Sequence, residues 1–120
     1  MAGQFDLQID QGATFAQGFR WMAGGLPINL GGYTGSCVVR RSAQDTEVLA
    51  TASVVVTDAI NGRFIVTIDF ADTAAIPVDG TSCYDKVQCV FDVYFSNGVS
   101  RYRVVNGYAM VSPEVTKEAV

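Results

Sequence analysis

Along most of this chain hydrophobic and polar residues alternate with a period of two, the spacing of a strand whose successive side chains point to opposite faces. The clearest instance runs from Lys86 to Val105. Val87, Cys89, Phe91, Val93 and Phe95 share one parity, while Lys86, Gln88, Val90, Asp92 and Tyr94 share the other, so one face is apolar and the other mixed. Asn97-Gly98 follows, residues that tolerate the positive backbone angles of a tight hairpin turn, and Arg101 to Val105 supplies the antiparallel partner. Tyr102 and Val104 fall on one side of that partner, and Arg101, Arg103 and Val105 on the other. Asn106-Gly107 interrupts the run before Tyr108, Met110 and Val111 resume, which predicts a bulge or bend at that point.

The remaining stretches repeat this grammar. Phe5, Leu7 and Ile9 alternate with Gln4, Asp6, Gln8 and Asp10, predicting a first strand over Gln4 to Asp10. Thr14 to Met22 is a second run, and its Trp21, the single tryptophan, reads as a core or inter-sheet plug. Pro27 marks an edge or an unpaired approach. Further strands are expected over Ser36 to Arg41, Glu47 to Thr57 and Arg63 to Phe70, the last with Phe64, Val66, Ile68 and Phe70 on one side. Ala71 to Ile76 makes one helical turn, capped by Asp72 or Thr73 and stopped by Pro77. Short strands, turn signals between them and no long helix predict an all-β fold, an antiparallel β-sandwich of about seven to nine strands with an immunoglobulin-like layout. The expectation is a single domain over residues 1–120, with the strand 4–10 and the polar tail 113–120 as arms.

Charge changes the picture in two ways. Only 17% of the residues are charged while 49% are hydrophobic, against about 25% charged in an ordinary soluble domain, which points to surface covered by partner subunits and a homo-oligomer. A monomer rich in Ser, Thr, Gly and Asn is the alternative. The net charge of −4 argues against a general nucleic-acid binder, and Arg101, Tyr102, Arg103 and Tyr108 read as the solvated face of a hairpin. MAGQFDLQID has neither the basic lead nor the apolar core of a signal peptide, and no run approaches the roughly 18 apolar residues of a membrane span. The three cysteines, Cys37, Cys83 and Cys89, read as buried thiols made in a reducing cytoplasm.

Candidate chemistry is sparse. Without a histidine no Ser-His-Asp or Cys-His pair can be built, and Cys83 and Cys89 lack the spacing of a zinc knuckle. Two carboxylate pairs, Asp69 with Asp72 and Asp79 with Asp85, flank loops and could serve as acid and base or hold calcium, yet aspartate is also what turns contain for backbone bonding. Gly31-Gly32-Tyr33-Thr34-Gly35 lacks the Lys-Ser/Thr of a phosphate loop and reads as a turn. The expectation is no enzyme, no catalytic residue, no cofactor and no metal.

Three segments together resemble a family of small virion proteins of tailed bacteriophages. They are Gln11-Gly12-Ala13-Thr14-Phe15 after a short strand, Gly25 to Thr34 leading into a strand that ends in Arg40-Arg41, and the close Asn106 to Thr116 with its Ser-Pro-Glu-Val-Thr ending. The family usually has Thr where Gly31 stands, and the Cys83 and Cys89 pair is foreign to its pattern. The resemblance implies a β-sandwich that docks on a phage particle, as a capsid decoration or cement protein or as a tail, baseplate or fibre adaptor. It implies other virion proteins as partners, such as the major capsid protein or tail and fibre proteins, neither nucleic acid nor membrane, and a place on the virion after synthesis in the bacterial host cytoplasm. The contact elements expected are Gln4 to Asp10, the Gly24 to Gly35 loop and the tail from Pro113. A competing reading is a carbohydrate-binding sandwich that recognises a host glycan through Trp21, Tyr33 or Tyr94 with a loop carboxylate.

Overall fold

The computed structural model describes residues 3–76 and 87–112, and within them strands dominate. In chain order these are β1 (Gly3–Gln4), β2 (Leu7–Asp10), β3 (Phe15–Arg20), β4 (Met22–Ala23), β5 (Leu26–Pro27), β6 (Thr34–Arg40), β7 (Ala50–Asp58), β8 (Arg63–Ile68), the short helix α1 (Phe70–Ala74), β9 (Val87–Ser96) and β10 (Arg101–Ser112). The main sheet runs β1-β10-β9-β6-β7-β8-β3, with β2 also on β10, and β4-β5 forms a small separate hairpin.

One strand curls this sheet into two layers. Ala50 to Ala52 of β7 pair with β6, whereas Ser53 to Asp58 pair with β8, so β7 leaves one layer and enters the other partway along its length. The layers are therefore β2-β10-β9-β6 and β3-β8-β7, a sandwich-like arrangement. Lettering β2, β3, β6, β7, β8, β9 and β10 as A to G gives the ladders B-E-D and C-F-G of an immunoglobulin-like sandwich. It departs from that plan where A pairs in parallel with G and where D serves both layers.

The alternation seen in the sequence becomes the core. Leu7 and Ile9 of β2, Cys37 and Val39 of β6, Phe64, Val66 and Ile68 of β8, and all five odd residues from Val87 to Phe95 of β9 are buried. Aromatic rings form a continuous path through it: Phe5 meets Phe19 edge-on at 5.2 Å, Phe19 stacks on Phe64 at 5.6 Å, and Phe64 meets Phe95 edge-on at 4.9 Å. Trp21 then lies parallel to Phe95 at 5.9 Å. Such contacts add to what area burial alone supplies.

Several expectations are corrected by tertiary context. The β9-β10 turn is a four-residue loop, Asn97 to Ser100, in which the Asn97 side-chain oxygen accepts from the N–H groups of Val99 and Ser100 (2.9 and 2.8 Å). Gly98 alone takes a positive φ there, 88°. The bulge in β10 falls between Arg103 and Val105, while Asn106 and Gly107 stay in register with Asp92 and Phe91. As a result Val104 and Val105, expected on opposite faces, are both buried. The run from Glu47 becomes a strand only at Ala50, β8 stops at Ile68, and Phe70 is exposed in α1. Pro27, by contrast, lies at an edge as expected, paired with Met22 in the two-stranded hairpin. The residue at the N-cap of α1 is Asp69, without a side-chain bond, rather than Asp72 or Thr73.

Thr73 has a different task. Fully buried, its hydroxyl accepts from Gly12 N–H (3.1 Å) and lies 2.8 Å from the Ala13 carbonyl, to which it donates. Gln11 adds a side-chain bond to the Ile76 carbonyl at 3.0 Å. The helical turn is thus fastened to the β2-β3 turn and closes that end of the sandwich. Pro77, Asp79, Cys83, Asp85, Lys86 and the tail from Pro113 lie outside the described residues.

Candidate functional site

The carboxylates singled out in the sequence do not converge. Asp69 precedes α1 and Asp72 sits in its first turn, both exposed, and their link is a backbone bond from Asp72 N–H to the Asp69 carbonyl (3.0 Å). Among the described residues no group of three or more His, Cys, Asp or Glu side chains is placed to hold a metal ion. Asp58 is held below the usual carboxylate range chiefly by the side-chain bond from Asn61 (2.7 Å), which stabilises the charged form in a turn. Of Gly31 to Gly35, Gly31 and Gly32 form a turn, in which Gly31 N–H donates to the Asn29 side chain (2.8 Å) and Tyr33 N–H to the Leu30 carbonyl (3.0 Å), while Thr34 and Gly35 already belong to β6.

The aromatic residues considered for sugar stacking already have neighbours. Trp21 is half-buried among Phe95, Tyr33 and Tyr102, with ring centroids 5.7 to 5.9 Å apart. The Arg101 guanidinium lies 3.7 Å from the centre of the Tyr94 ring, which covers one face of it. Trp21, Tyr33 and Tyr94 are all half-buried, so none of them is a fully exposed platform.

The expected thiols behave as core atoms. Cys37 and Cys89 are free and buried. Burial pushes the Cys37 thiol up to about 12, with the charge of Asp92 acting in the same direction, and burial also raises Cys89 against the opposing pull of Arg41. A thiol held protonated is a poor nucleophile.

Shallow recesses lie on the outside, among them one of about 460 Å³ lined by Gly18 to Arg20, Thr57 and Arg63 to Ile65. Another, of about 360 Å³, opens on the outer face of β6, β9 and β10, where Arg40, Val90 and Tyr108 form one cross-strand row and Val38, Asp92 and Asn106 the next. Arg103 approaches Asp92 there at 3.7 Å and is raised above its ordinary value first by its bond with Tyr94, while the buried Nε of Arg40 has no hydrogen-bond partner. A further recess, of about 260 Å³, runs between β2 and β3 and is lined by Asp6, Gln8, Asp10 and Ala13 to Gln17.

Of the contact elements named from the sequence, Gln4 to Asp10 is built into the sandwich, since β1 and β2 pair in parallel with β10. The Gly24 to Gly35 loop does present apolar surface. Its Leu26, 70% exposed, belongs to the β4-β5 hairpin, which Trp21 and Ile28 fasten beside the β7-β8 turn through Trp21 N–H to the Gly62 carbonyl and Ile28 N–H to the Trp21 carbonyl. Ile60 in that turn is 73% exposed, and Val99 in the β9-β10 turn is 92% exposed. Because Thr34 pairs with Ser96 and Arg20 with Arg63, these three turns share one end of the sandwich, and Trp21 touching Tyr102 joins them. Residues 26, 60 and 99 lie far apart in sequence, and placing their turns at one end required the strand order, which alternation alone does not supply. Compared with known proteins, the chain matches no family model and no curated protein.

Proposed function

We propose that this chain is a non-enzymatic structural module of a tailed-phage particle, which acts by docking its surface against neighbouring virion proteins. The observation that carries the reading is the set of exposed apolar residues, Leu26, Ile60 and Val99, carried by turns at one end of the sandwich. Water-exposed aliphatic side chains gathered in one place mark contact surface, and each one fully covered contributes about 1.5–3 kcal/mol. Repetition over a symmetric particle multiplies a modest contact of this kind. The kind of neighbour comes from the sequence resemblance in the segments 11–15, 25–34 and 106–116, and it leaves capsid decoration and tail or baseplate attachment as two places for the module.

Quantitative mass spectrometry of purified particles tests the reading and separates the two places. Decoration requires copies in the hundreds, and a collar or adaptor requires a small ring. A second arm replaces Leu26 and Ile60 by Asp, at exposed positions that leave the core intact, and the variant should fold but fail to incorporate. Absence of the chain from purified particles overturns the proposal, as does turnover of a substrate lost in Asp69→Asn.

A further inference from the structure

The two ends of the main sheet are unlike. At one end β2 has four residues, carries Asp10 and is broken from β1 at Phe5-Asp6, a short edge flanked by charge of the sort that resists pairing. At the other end β3 has six residues, keeps an unbroken register with β8 and contains no proline, lysine or bulge. Trp21 N–H bonds the Gly62 carbonyl, so by antiparallel alternation Phe15, Gln17 and Phe19 turn their backbone groups to β8. Ala16, Gly18 and Arg20 turn theirs outward. The Gln17 side chain reaches the Gly18 carbonyl (3.0 Å), and the outward N–H groups stay available.

We infer that β3 is the contact strand of a symmetric dimer of this chain, in which two copies of β3 pair antiparallel about Gly18. This register sets Gly18 against Gly18 and Ala16 against Arg20 of the other copy, so every outward N–H faces an outward carbonyl. On the outer face Gly18 stands in a row with Ile65 and Val55, both exposed, and nothing fills the space where a Gly18 side chain would be. Joining the copies makes one row, Val55-Ile65-Gly18-Gly18-Ile65-Val55, across six strands.

Charge selects the occupant. Arg20 stands opposite Ala16 of the other copy, beside the recess between that copy's β2 and β3, whose lining includes Asp6, Asp10 and Ala16; its Nε bonds the Asn61 carbonyl of its own chain (3.0 Å), so its terminal amino groups are what face those carboxylates. Twofold symmetry makes this contact twice. An unrelated extended peptide could use the same amides, but only a second copy supplies an arginine at that register from the chain itself. The contact belongs to the chain alone and stands or falls apart from any docking on a particle.

Sedimentation velocity of the full chain over a range of concentrations, paired with hydrogen exchange, tests it. The expected result is a reversible monomer–dimer equilibrium, with exchange at Ala16, Gly18 and Arg20 slowing as concentration rises. Arg20→Asp and Asp10→Arg should each weaken the dimer about tenfold or more, and the two together should restore it. Gly18→Pro, which removes no bond to β8, should abolish it while the far-ultraviolet dichroism stays that of the folded chain. A monomer at every concentration up to about a millimolar, or a dimer indifferent to these changes in β3, overturns the inference.

Discussion

Gly107 lies directly against the main chain of Phe5: a Cβ at Gly107 would collide with the Phe5 carbonyl. The ladder between the N-terminal strand and β10 is interrupted at this point, at Phe5 and Asp6, with the register unchanged on either side. Phe5 N–H still bonds the Asn106 carbonyl (3.1 Å), and the Asp6 side chain accepts from Tyr108 N–H (3.3 Å), supplying a partner that the interrupted ladder does not. Gly107→Ala should therefore cost about 1–3 kcal/mol, more if the N-terminal strand is displaced, because backbone on both sides cannot yield as a flexible side chain would. Urea denaturation measures the loss, and faster amide exchange at Leu7 and Ile9 locates it in β2. Gly18→Ala, with open space around the added carbon, is the control and should stay near wild type.

Thr73 joins α1 to the β2-β3 turn through one hydroxyl that both accepts from Gly12 and donates to Ala13. Thr73→Val keeps the shape and removes two part-buried bonds to the β2-β3 turn, so it should destabilise the fold by about 1–2 kcal/mol. Thr73→Ser keeps the hydroxyl and should recover most of that. Equal losses in the two variants would show that the methyl group, and not the bonds, fastens the helix.

The bulge at Val104 allows a direct test of facing. Strict alternation puts Val104 and Val105 on opposite sides of β10, so one of them should tolerate a charge. With both buried, Val104→Asp and Val105→Asp should each cost about 3 kcal/mol or more, since each carries an unpaired charge into the core. Thermal melts of the two variants decide it, and a wild-type melting temperature in either removes the bulge from the account.

What the sequence made legible was local. The parity of β9, the buried face of β8 and the turn residues Asn97 and Gly98 depend on neighbours a few positions away, and they stand in the structure with small shifts of boundary. The features that differed depend on partners far along the chain. Gly107 reads as a bulge until Phe5 is known to cross it, and Thr73 reads as a helix cap until Gly12 and Ala13 are known to lie beside it. Leu26, Ile60 and Val99 look like isolated exposed residues until strand order brings their turns together. The open edge of β3 is likewise a property of topology, since Phe15 to Arg20 would read the same in a central strand.

Cys37 gives the chain a dependence on alkaline pH whose sign follows from burial. Its thiol titrates near 9.0 when unperturbed and is pushed up to about 12 in the fold, first by burial and then by Asp92. The folded state therefore keeps a proton that the unfolded chain releases. Its contribution to stability is whole below pH 9 and drains away as pH rises from there towards 12, at no more than about 1.4 kcal/mol per pH unit. Cys89, also raised by burial, works in the same direction. Cys37→Val removes the titrating group from a position where it packs as a small hydrophobe, so unfolding free energy measured in urea at neutral pH and at about pH 10 should fall less in the variant than in the wild type. In the folded protein the same thiol should resist alkylation until denaturant exposes it. Parallel falls in the two proteins would assign the alkaline loss to other groups and take Cys37 out of it.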